Sequence, residues 1–415
     1  MQQRMHGLPS EFIMLCSTTN MSQPIKIILK PGKEQSIKRF HPWIFSGAIK
    51  EISGKVSEGD LVSVYSANHE FLGAGHYQIG TIAVRILSFH DCNLDINFWK
   101  QKIKKAWKLR RNLNFETNLS TNVFRLIHGE GDGLPGLIVD FYNGTAVIQA
   151  HSVGMYLIRD LITEVLADVL GDALQAVYDK SKKTLPYKAD VQPTDALIYG
   201  NPVTNLVQEH GLTFKIDWEL GQKTGFFIDQ RENRLLLESY SHDRDVLNMF
   251  SYTGGFSVYA LRGGAKSVHS VDASAGAVSL TNENVALNFN NESRHEAIIA
   301  DGFEYLKDIQ DKYDLIIVDP PAFTKHRKAL PQALQGYKRI NTRAFEQIRP
   351  GGILFTFSCS QAVPRDRFRE MVFSAAAISG RNVRILHQLT QPADHPINIY
   401  HPEGEYLKGL VLYVE

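Results

Sequence analysis

Short alternating apolar segments fill the chain from Ile25 to about His90. Successive side chains of a strand point to opposite faces, so alternation over a few residues predicts strands, and the intervening Gly and Asn residues predict turns. Together these features predict a small barrel of short strands. The segments are IKIILK, DLVSVYSA, FLGAGHYQ and IAVRILSF.

The apolar period changes near Phe98 to the period of a helix. One face of this segment is apolar and the other is basic, which predicts a single amphipathic helix. The helical spacing comes from Trp99, Ile103, Ala106, Trp107 and Arg110, and the basic face from Lys100, Lys102, Lys104, Lys105, Lys108 and Arg111.

A central section mixes strand and helix patterns over residues 118–207. The run GLIVDFYNGTAVIQAHS predicts a hairpin, because Asn143 and Gly144 together form a strong two-residue turn signal. A helix is predicted over MYLIRDLITEVLADVLG and is expected to end at Gly171, since glycine suits a C-terminal cap. A second strand pair is predicted in VTNLVQEHGLTFKIDW.

From Asp245 onward, short apolar strands alternate with helical segments. This alternation predicts a parallel sheet with helices on both faces, which is a doubly wound α/β domain. The predicted strands are DVLNMFSY, KSVHSVDAS, HEAIIADG, YDLIIVDPP, GGILFTFSCS and GLVLYVE.

Composition narrows the class of protein without identifying its partners. The length of 415 residues suggests two or three domains, and a net charge of +1 neither demands nor excludes nucleic acid. Cys16, Cys92 and Cys359 match neither a zinc spacing nor a disulfide framework, so we expect a reducing cytoplasm and no metal site. No apolar run reaches about 18 residues, which argues against a membrane-spanning helix.

Several predicted strands end in residues suited to ligand binding, because open α/β sheets bind ligands beyond the carboxyl ends of their strands. Thr253, Gly254 and Gly255 would either let the backbone approach a ligand closely or form a simple tight turn. Asp272 could accept from both hydroxyls of an adenosine ribose, or it could cap the following helix. Asp301 could accept from an adenine amino group, or it could start a turn.

A further strand ends in DPPAF, residues 319–323. Two consecutive prolines fix φ and force an extended backbone with few free donors. Pro320 and Pro321 could therefore form a wall against which a flat base lies, with Asp319 directed at its polar edge. The order and spacing of the glycine turn, the two acids and D-P-P match those of class I S-adenosylmethionine-dependent methyltransferases.

The chain resembles bacterial RNA methyltransferases that join an N-terminal PUA domain, a central α/β domain and a class I methyltransferase domain, among them 23S rRNA cytosine-C5 methyltransferases. The resemblance implies a PUA-like barrel over residues 24–93, a central α/β domain over 94–215 and a Rossmann-like methyltransferase domain over 216–415. Residues 1–23, with an interrupted apolar patch, are expected to be a disordered or non-native extension. The motifs that carry the resemblance are RFHPWIFSGAI, GEGDGLPGLIVDFY, KTGFFIDQRENR, LNMFSYTGGFSVYAL, VDPPAF and FSCS.

The resemblance implies S-adenosyl-L-methionine as cofactor. In the family pattern Asp272 holds the ribose, Asp301 holds the adenine, and the segment KTGFFIDQR folds over the cofactor. The cofactor-binding residues implied in this way are Phe250, Ser251, Thr253, Gly254, Gly255, Asp272, Ser274, Asp301, Gly302, Asp319, Asp229, Gln230 and Arg231.

Cys359 is the predicted nucleophile. C5 of cytosine is a poor nucleophile, and a thiolate that adds to C6 makes C5 enamine-like. Cys359 ends the strand after D-P-P, at the same predicted rim, and the resemblance implies Asp319 as the group acting at N3. Nearby positive charge is expected to lower the pKa of the thiol. Without this context the cysteine would be a small buried hydrophobe, and Ala322 stands where many related C5 enzymes have a second cysteine.

RNA contacts are expected in the barrel, on the basic helix and near D-P-P. The basic helix would either grip phosphates or form an ordinary solvated face. In the barrel, His41 and Pro42 lie within the motif that matches PUA domains. The residues expected to contact substrate RNA are Arg39, Trp43, Pro320, Pro321, Phe323, Lys325, Arg327 and Lys328.

Three hypotheses for function follow from these features. The first is cytosine-C5 methylation of 23S rRNA, or of other structured RNA, with Cys359 as nucleophile. The second is methylation of a guanine nitrogen, although guanine-N7 relatives with a similar domain plan lack a cysteine equivalent to Cys359. The third is a non-catalytic rRNA-binding assembly factor. The sequence leaves a homodimer open.

Overall fold

The computed structural model describes residues 25–186, 191–324 and 329–415. The extension expected at residues 1–23, and the expected RNA contacts Lys325, Arg327 and Lys328, lie outside these described residues. Within the described part of the chain, no helix combines the length and the apolar character needed to cross a bilayer.

The N-terminal region forms a six-stranded sheet around its own apolar core. Its elements are β1 (Ile25–Leu29), α1 (Gln35–Lys38), β2 (Trp43–Phe45), β3 (Ile49–Ile52), β4 (Leu61–Tyr65), β5 (Phe71–Tyr77) and β6 (Ile82–Ser88). The spatial order is β2-β6-β5-β4-β1-β3, with β1 and β4 parallel. All four predicted segments form strands. The strands β2 and β3 were not predicted, because at three and four residues they are too short to show an alternation of apolar and polar positions.

The central region contains a five-stranded sheet in the order β11-β10-β9-β8-β7 and a separate pair, β12-β13. Its elements are α2 (Ile96–Asn112), β7 (Val123–His128), β8 (Leu137–Tyr142), β9 (Thr145–Ala150), α3 (Val153–Leu157), α4 (Arg159–Leu170), β10 (Ala176–Asp179), β11 (Ala196–Gly200), β12 (Leu206–Glu209) and β13 (Leu212–Lys215). The predicted hairpin is confirmed, because Asn143 (φ 45°) and Gly144 (φ 96°) make the left-handed turn that joins β8 to β9. Gly171, with φ 55°, ends α4 as predicted.

The C-terminal region is built around a seven-stranded sheet in the order β16-β15-β14-β17-β18-β20-β19. Its elements are α5 (Arg231–Ser239), β14 (Asp245–Met249), α6 (Gly255–Arg262), β15 (Ser267–Asp272), α7 (Ala275–Ala286), β16 (His295–Ile299), α8 (Gly302–Tyr305), β17 (Leu315–Val318), α9 (Leu330–Gln347), β18 (Gly352–Ser358), α10 (Arg365–Ser379), β19 (Val383–Leu389) and β20 (Lys408–Val414). The doubly wound arrangement is confirmed. The expectation of a purely parallel sheet was wrong, because β20 runs antiparallel to both β18 and β19.

The two faces of this sheet carry separate apolar cores. Ile316 and Val318 pack in one core, while Leu315 and Ile317 pack in the other. Both faces are therefore covered, which explains why β17 is a continuous apolar run instead of an alternating one.

The strand order reverses at β14, which lies between β15 and β17. Met249 of β14 pairs with Val318 of β17, and Val318 pairs with Thr356 of β18. The residues that follow these three parallel strands therefore leave the sheet side by side, at the edge where α/β proteins bind ligands. They are the glycine turn, D-P-P and Cys359.

Candidate active site

The glycine turn after β14 has an unusual backbone. Phe250 and Tyr252 have positive φ angles of 58° and 46°, and Gly254 has φ 77°. A Cβ atom at Gly254 would lie 2.5 Å from Cγ2 of Thr281, so a larger residue would be strained and would clash. Strained non-glycine residues of this kind cluster at functional sites. The turn is tight, as predicted, and the close approach of a ligand to it stays a prediction.

Asp272 fixes the glycine turn against the start of α7. Its Oδ2 accepts the backbone N–H of Tyr252 at 2.9 Å, and its Oδ1 accepts that of Ser274 at 2.9 Å. The cap of α7 itself is Ser274, whose Oγ accepts from the backbone N–H of Ala277 at 3.3 Å. A carboxylate offers about four acceptor sites, so Asp272 keeps capacity for a ligand hydroxyl.

Asp301 is exposed and caps α8, accepting the backbone N–H of Glu304 at 3.0 Å. The next residue lies directly against the glycine turn, because a Cβ at Gly302 would be 2.8 Å from the ring of Phe250. The fold thus brings the loops after β14 and β16 together. Asp301 therefore caps a helix, which differs from the predicted turn, and its contact with an adenine stays a prediction.

The segment from Gln222 to Gln230 spans the loops after β14 and β17. The Tyr252 hydroxyl donates to the Gly225 carbonyl at 3.1 Å and accepts the Gln222 backbone N–H at 2.9 Å. At the other end, Gln230 Nε2 donates to Asp319 Oδ2 at 2.9 Å. The segment therefore connects the two strand ends between which a cofactor was predicted.

Two of the predicted cofactor residues carry buried polar atoms without a hydrogen-bond partner among the described residues. They are Ser251 Oγ and Asp229 Oδ1. The other oxygen of Asp229 accepts from the Tyr406 hydroxyl at 2.7 Å. Because buried polar atoms in native proteins are almost always paired, each of these two atoms could bind a polar group of a cofactor such as S-adenosylmethionine.

The guanidinium group of Arg231, which was predicted to bind the cofactor, is bound by other residues of the protein. Its guanidinium donates to both oxygens of Asp394, at 2.9 and 3.1 Å, and to the Val123 carbonyl at 3.3 Å. Its side chain is 2% exposed. The residue lies next to Gln230 in sequence, but its charge serves a buried ion pair, so a direct contact with the cofactor would require its present partners to be displaced.

Asp319 and Cys359 follow the neighbouring strands β17 and β18, and both are partly exposed. Burial and the nearby Asp229 raise the pKa of Asp319 to about 7, and the hydrogen bond from Gln230 opposes this rise. Asp319 can therefore be protonated near neutral pH, as a group that donates a hydrogen bond to a substrate must be.

The thiol of Cys359 departs from the sequence-based expectation. Burial, Asp319 and Asp229 raise its pKa to about 12, while Lys223 and Lys408 act in the opposite direction. The expected lowering of the pKa by positive charge was wrong, because desolvation and two carboxylates outweigh the two lysines. A loss of negative charge at Asp319 would favour the thiolate.

Lys408 is a buried cation that the sequence analysis missed. Its side chain is 2% exposed, and its Nζ donates to the Ser360 carbonyl at 2.6 Å. Lys408 pairs with Ser358 across β20 and β18, so it lies at the end of β18 from which Cys359 follows, and its charge acts on the thiol. Burial lowers the pKa of Lys408 to about 8, and Cys359 opposes that shift. Its only sequence signal was a lysine at the start of an apolar strand.

The D-P-P segment has one buried and one exposed proline. Pro320 is buried and Pro321 is exposed. Phe323 packs on the Tyr337 ring of α9, with centroids 4.6 Å apart. The exposed proline is the part of the predicted wall that a base could reach, whereas Phe323 anchors the segment.

The expected RNA contacts of the N-terminal region differ in exposure. Arg39 is exposed, whereas Trp43 is partly buried and its indole N–H donates to Glu130 at 2.8 Å. On α2, Lys100 pairs with Asp168 at 2.5 Å and Lys102 donates to the Gly133 carbonyl at 3.1 Å. Lys100 and Lys102 of the basic face are therefore bound to other residues of the central region. The lysines left exposed are Lys104, Lys105 and Lys108.

Comparison with known proteins identifies the family of the chain. The family model for S-adenosylmethionine-dependent methyltransferases matches residues 171–401, and that for PUA-like domains matches residues 27–89. Ribosomal RNA large subunit methyltransferase I from Alteromonas mediterranea is 40% identical over 395 residues, covering 94% of this chain and 98% of the relative. The protein of that name from Enterobacter sp. is 37% identical over 397 residues, covering 94% and 99%.

Two solved structures share the fold over most of the chain. One, described as a S-adenosylmethionine-dependent methyltransferase from Streptococcus mutans, aligns with a TM-score of 0.80 at 22% identity and covers 94% of this chain and 100% of its own. The other, SMU.776 complexed with SAH, aligns with a TM-score of 0.81 at 22% identity, with the same two coverages. These likenesses show the common architecture of all three regions.

Proposed function

The chain belongs to the S-adenosylmethionine-dependent methyltransferases that carry a PUA-like domain, the family of ribosomal RNA large subunit methyltransferase I, and we propose that it methylates C5 of a cytosine in 23S rRNA through a covalent bond to Cys359. The reaction class and the cofactor are those of the family. The target atom, the covalent step and the roles of individual residues are the proposal.

The observation that carries the proposal is the position of Cys359 between an acid and a buried cation. Asp319 leaves the adjacent strand β17, and Lys408 begins the strand β20 on the other side of β18. A cysteine that served only for packing would gain nothing from a buried ammonium group, whose desolvation costs several kcal/mol. A cysteine that must become a thiolate gains a counter-ion.

The proposed covalent step changes the reactivity of the base. The Cys359 sulfur forms a bond to C6, and the electron pair of the C5–C6 double bond makes C5 nucleophilic. C5 would then form a bond to the methyl group as the bond from that methyl group to the sulfonium sulfur breaks, and the electron pair of the broken bond stays on that sulfur. Loss of the C5 proton and expulsion of the sulfur restore the double bond and return Cys359 to its starting form.

Asp319 is proposed to hold the proton that this step needs. A protonated Asp319 donates a hydrogen bond to N3 and withdraws electron density as the sulfur adds to C6. The same protonation removes one of the negative charges that raise the pKa of Cys359, so acid and nucleophile assist each other. Gln230, which donates to Asp319 Oδ2 at 2.9 Å, orients the carboxyl group.

The cofactor supplies an electrophilic methyl group on a sulfonium. We assign its binding to Ser251, Asp229, Asp272 and the glycine turn, because these groups combine free acceptors with a backbone that permits close approach. The RNA would be held by phosphate contacts from Arg39 and the exposed lysines of α2, which position a substrate without reading its sequence.

The proposal is tested by trapping the covalent adduct. With RNA that carries 5-fluorocytosine at the target position, C5 has no proton to lose, so the bond to Cys359 should persist and shift the protein on a denaturing gel. Cys359→Ala should abolish both the adduct and methyl transfer while retaining cofactor binding by calorimetry. Cys92→Ala, at an exposed cysteine, is the matched control and should behave as wild type.

Nucleoside mass spectrometry of the product separates the alternatives. Methylation of a guanine nitrogen needs no thiol, so full activity in Cys359→Ala together with a methylguanosine product would contradict the proposal. Cofactor binding without any methylated nucleoside, on 23S rRNA and on its assembly intermediates, would favour a non-catalytic role.

A further inference from the structure

Three side chains from the two ends of the chain meet beside the N-terminal barrel. Among the described residues, His41, His401 and Glu403 place one ligand-type atom each within 4.8 Å of one another. His41 lies just before β2, whereas His401 and Glu403 belong to the loop between β19 and β20, residues 390–407. Sequence reasoning could not find this group, because His41 and Glu403 are 362 positions apart.

His401 is the most unusual member of the group. It is 2% exposed, and neither ring nitrogen has a hydrogen-bond partner among the described residues. Its Nε2 lies 3.7 Å from Glu403 Oε2, which is beyond hydrogen-bond length. A buried imidazole with two unsatisfied nitrogens is costly, and a metal ion is a partner that would accept the lone pair of one of them.

His41 can complete the same site. Its Nε2 lies 3.4 Å from Glu403 Oε2. Its Nδ1 lies 3.4 Å from the carbonyl oxygen and 3.2 Å from the amide nitrogen of Trp43. The backbone N–H of Trp43 donates to Nδ1, which places the proton of the metal-free imidazole on Nε2, towards Glu403. Metal binding through Nε2 would require the other tautomer, in which the Nδ1 proton is donated to the Trp43 carbonyl.

The distances suit a small tetrahedral ion. Atoms bound to one zinc ion at about 2.0–2.1 Å with tetrahedral angles lie about 3.3 Å apart. The separations of 3.4 and 3.7 Å from Glu403 Oε2 to the two histidine nitrogens are close to this value before any ion has drawn the ligands together. Two imidazoles and one carboxylate form a ligand set that zinc commonly takes, with a fourth position left for water.

We propose that His41, His401 and Glu403 bind one Zn²⁺ ion that fastens the N-terminal barrel to the loop 390–407. Trp43 closes one side of this zinc site, since its ring centroid lies 4.3 Å from that of His401. The same loop carries Asp394, the partner of Arg231, and Tyr406, the partner of Asp229. The ion would therefore stabilise the loop that supports the candidate active site, without taking part in methyl transfer.

Zinc binding by the full chain tests the proposal. After removal of metals with a chelator, titration with zinc chloride in a calorimeter should give one site per chain, and saturating zinc should raise the Tm by about 5 °C. Cobalt(II) in place of zinc should give the visible absorption bands of a tetrahedral site. His401→Gln and Glu403→Gln should each lose the site, and so should His41→Gln, whose residue comes from the other end of the chain.

His69→Gln is the matched control, because His69 is an exposed histidine of the same barrel and should keep full zinc binding. Circular dichroism and the metal-free Tm establish that each variant is folded. The proposal is overturned if the wild-type chain binds no stoichiometric zinc. It is also overturned if His401→Gln and Glu403→Gln, both folded, bind zinc as wild type does, which would mean adventitious ions only. Neither result would bear on methyl transfer by Cys359.

Discussion

Two groups of buried charges in this protein differ in how completely they are paired. The first, the interdomain ion-pair cluster, consists of Arg110, Asp132, Arg231 and Asp394. Arg110 binds both oxygens of Asp132, at 2.5 and 2.8 Å, and the Asp394 carbonyl at 2.8 Å. Arg231 binds both oxygens of Asp394. The second group, the catalytic rim, consists of Asp319, Cys359 and Lys408, which have fewer hydrogen-bonding partners.

Burial affects the pKa values of the two groups differently. Burial alone would raise the pKa of Asp394, but His395 and Arg231 hold this pKa well below its usual range. At the rim, burial and a like charge move the pKa of Asp319 up to about 7, and burial moves that of Lys408 down to about 8. Complete pairing makes a buried charge permanent, whereas incomplete pairing leaves a proton that can be exchanged near neutral pH.

Removal of one charge from the ion-pair cluster should give the largest effect on stability. Asp394→Asn leaves the buried guanidinium of Arg231 with the half-exposed Glu232 as its remaining counter-ion, so the free energy of unfolding should fall by about 3–5 kcal/mol. Urea denaturation followed by circular dichroism measures the loss.

Asp91→Asn, at an exposed aspartate, is the control and should change stability little. A loss of less than about 1 kcal/mol in Asp394→Asn would show that the cluster is no more sensitive than a surface pair.

Asp319 should affect stability with the opposite sign and with a defined pH dependence. Its pKa is about 7 in the folded chain and about 3.9 in the unfolded chain. Between these values the folded protein holds a proton that the unfolded chain has released, so the free energy of unfolding falls as pH rises from about 4 to about 7. Asp319→Asn should remove this fall and stabilise the protein at pH 8 on the order of 1–3 kcal/mol, while abolishing methyl transfer.

Urea denaturation of both proteins at several pH values checks the Asp319 prediction. Asp308→Asn, which replaces an exposed aspartate, should leave the pH dependence of wild type unchanged. A pH-independent difference between Asp319→Asn and wild type would mean that Asp319 does not titrate in this range.

Lys408→Met should weaken catalysis without unfolding the protein, because the methionine keeps most of the length of the side chain and removes the charge. Loss of the counter-ion should raise the pKa of Cys359 and lower the rate of methyl transfer about 10–100-fold. The rate of alkylation of Cys359 as a function of pH, in a background without Cys16 and Cys92, measures the thiol directly. An unchanged alkylation profile would remove Lys408 from the proposed mechanism.

The smallest effect is expected on the basic face of α2. Lys105→Ala removes an exposed charge and should weaken RNA binding a few-fold, with a shallower dependence of affinity on salt. Lys100→Ala is the matched comparison, because Lys100 is already paired with Asp168 at 2.5 Å and should affect RNA binding less. Filter binding at several salt concentrations distinguishes the two.

Much of the fold could be predicted from local patterns. The hairpin at Asn143 and Gly144 and the strand that ends at Ser358 were predicted because turn residues and apolar runs are local signals. The antiparallel direction of β20 was not predicted, because an apolar strand looks the same in either direction and its orientation is decided by its neighbours.

The features of the candidate site likewise divide into those that local patterns predicted and those that they did not. Local patterns along the chain were enough to predict which residues end the strands, and so to predict the glycine turn, Asp272, Asp319 and Cys359 as neighbours at one edge of a sheet. The charges around these residues could be found only in the folded chain. Strand pairing brings Lys408, at the start of β20, to the end of β18 that precedes Cys359, and the direction of the thiol pKa shift follows from burial and two carboxylates. Such shifts arise from groups distant in sequence, whose separations are set by the folded chain and not by the spacing of residues along it.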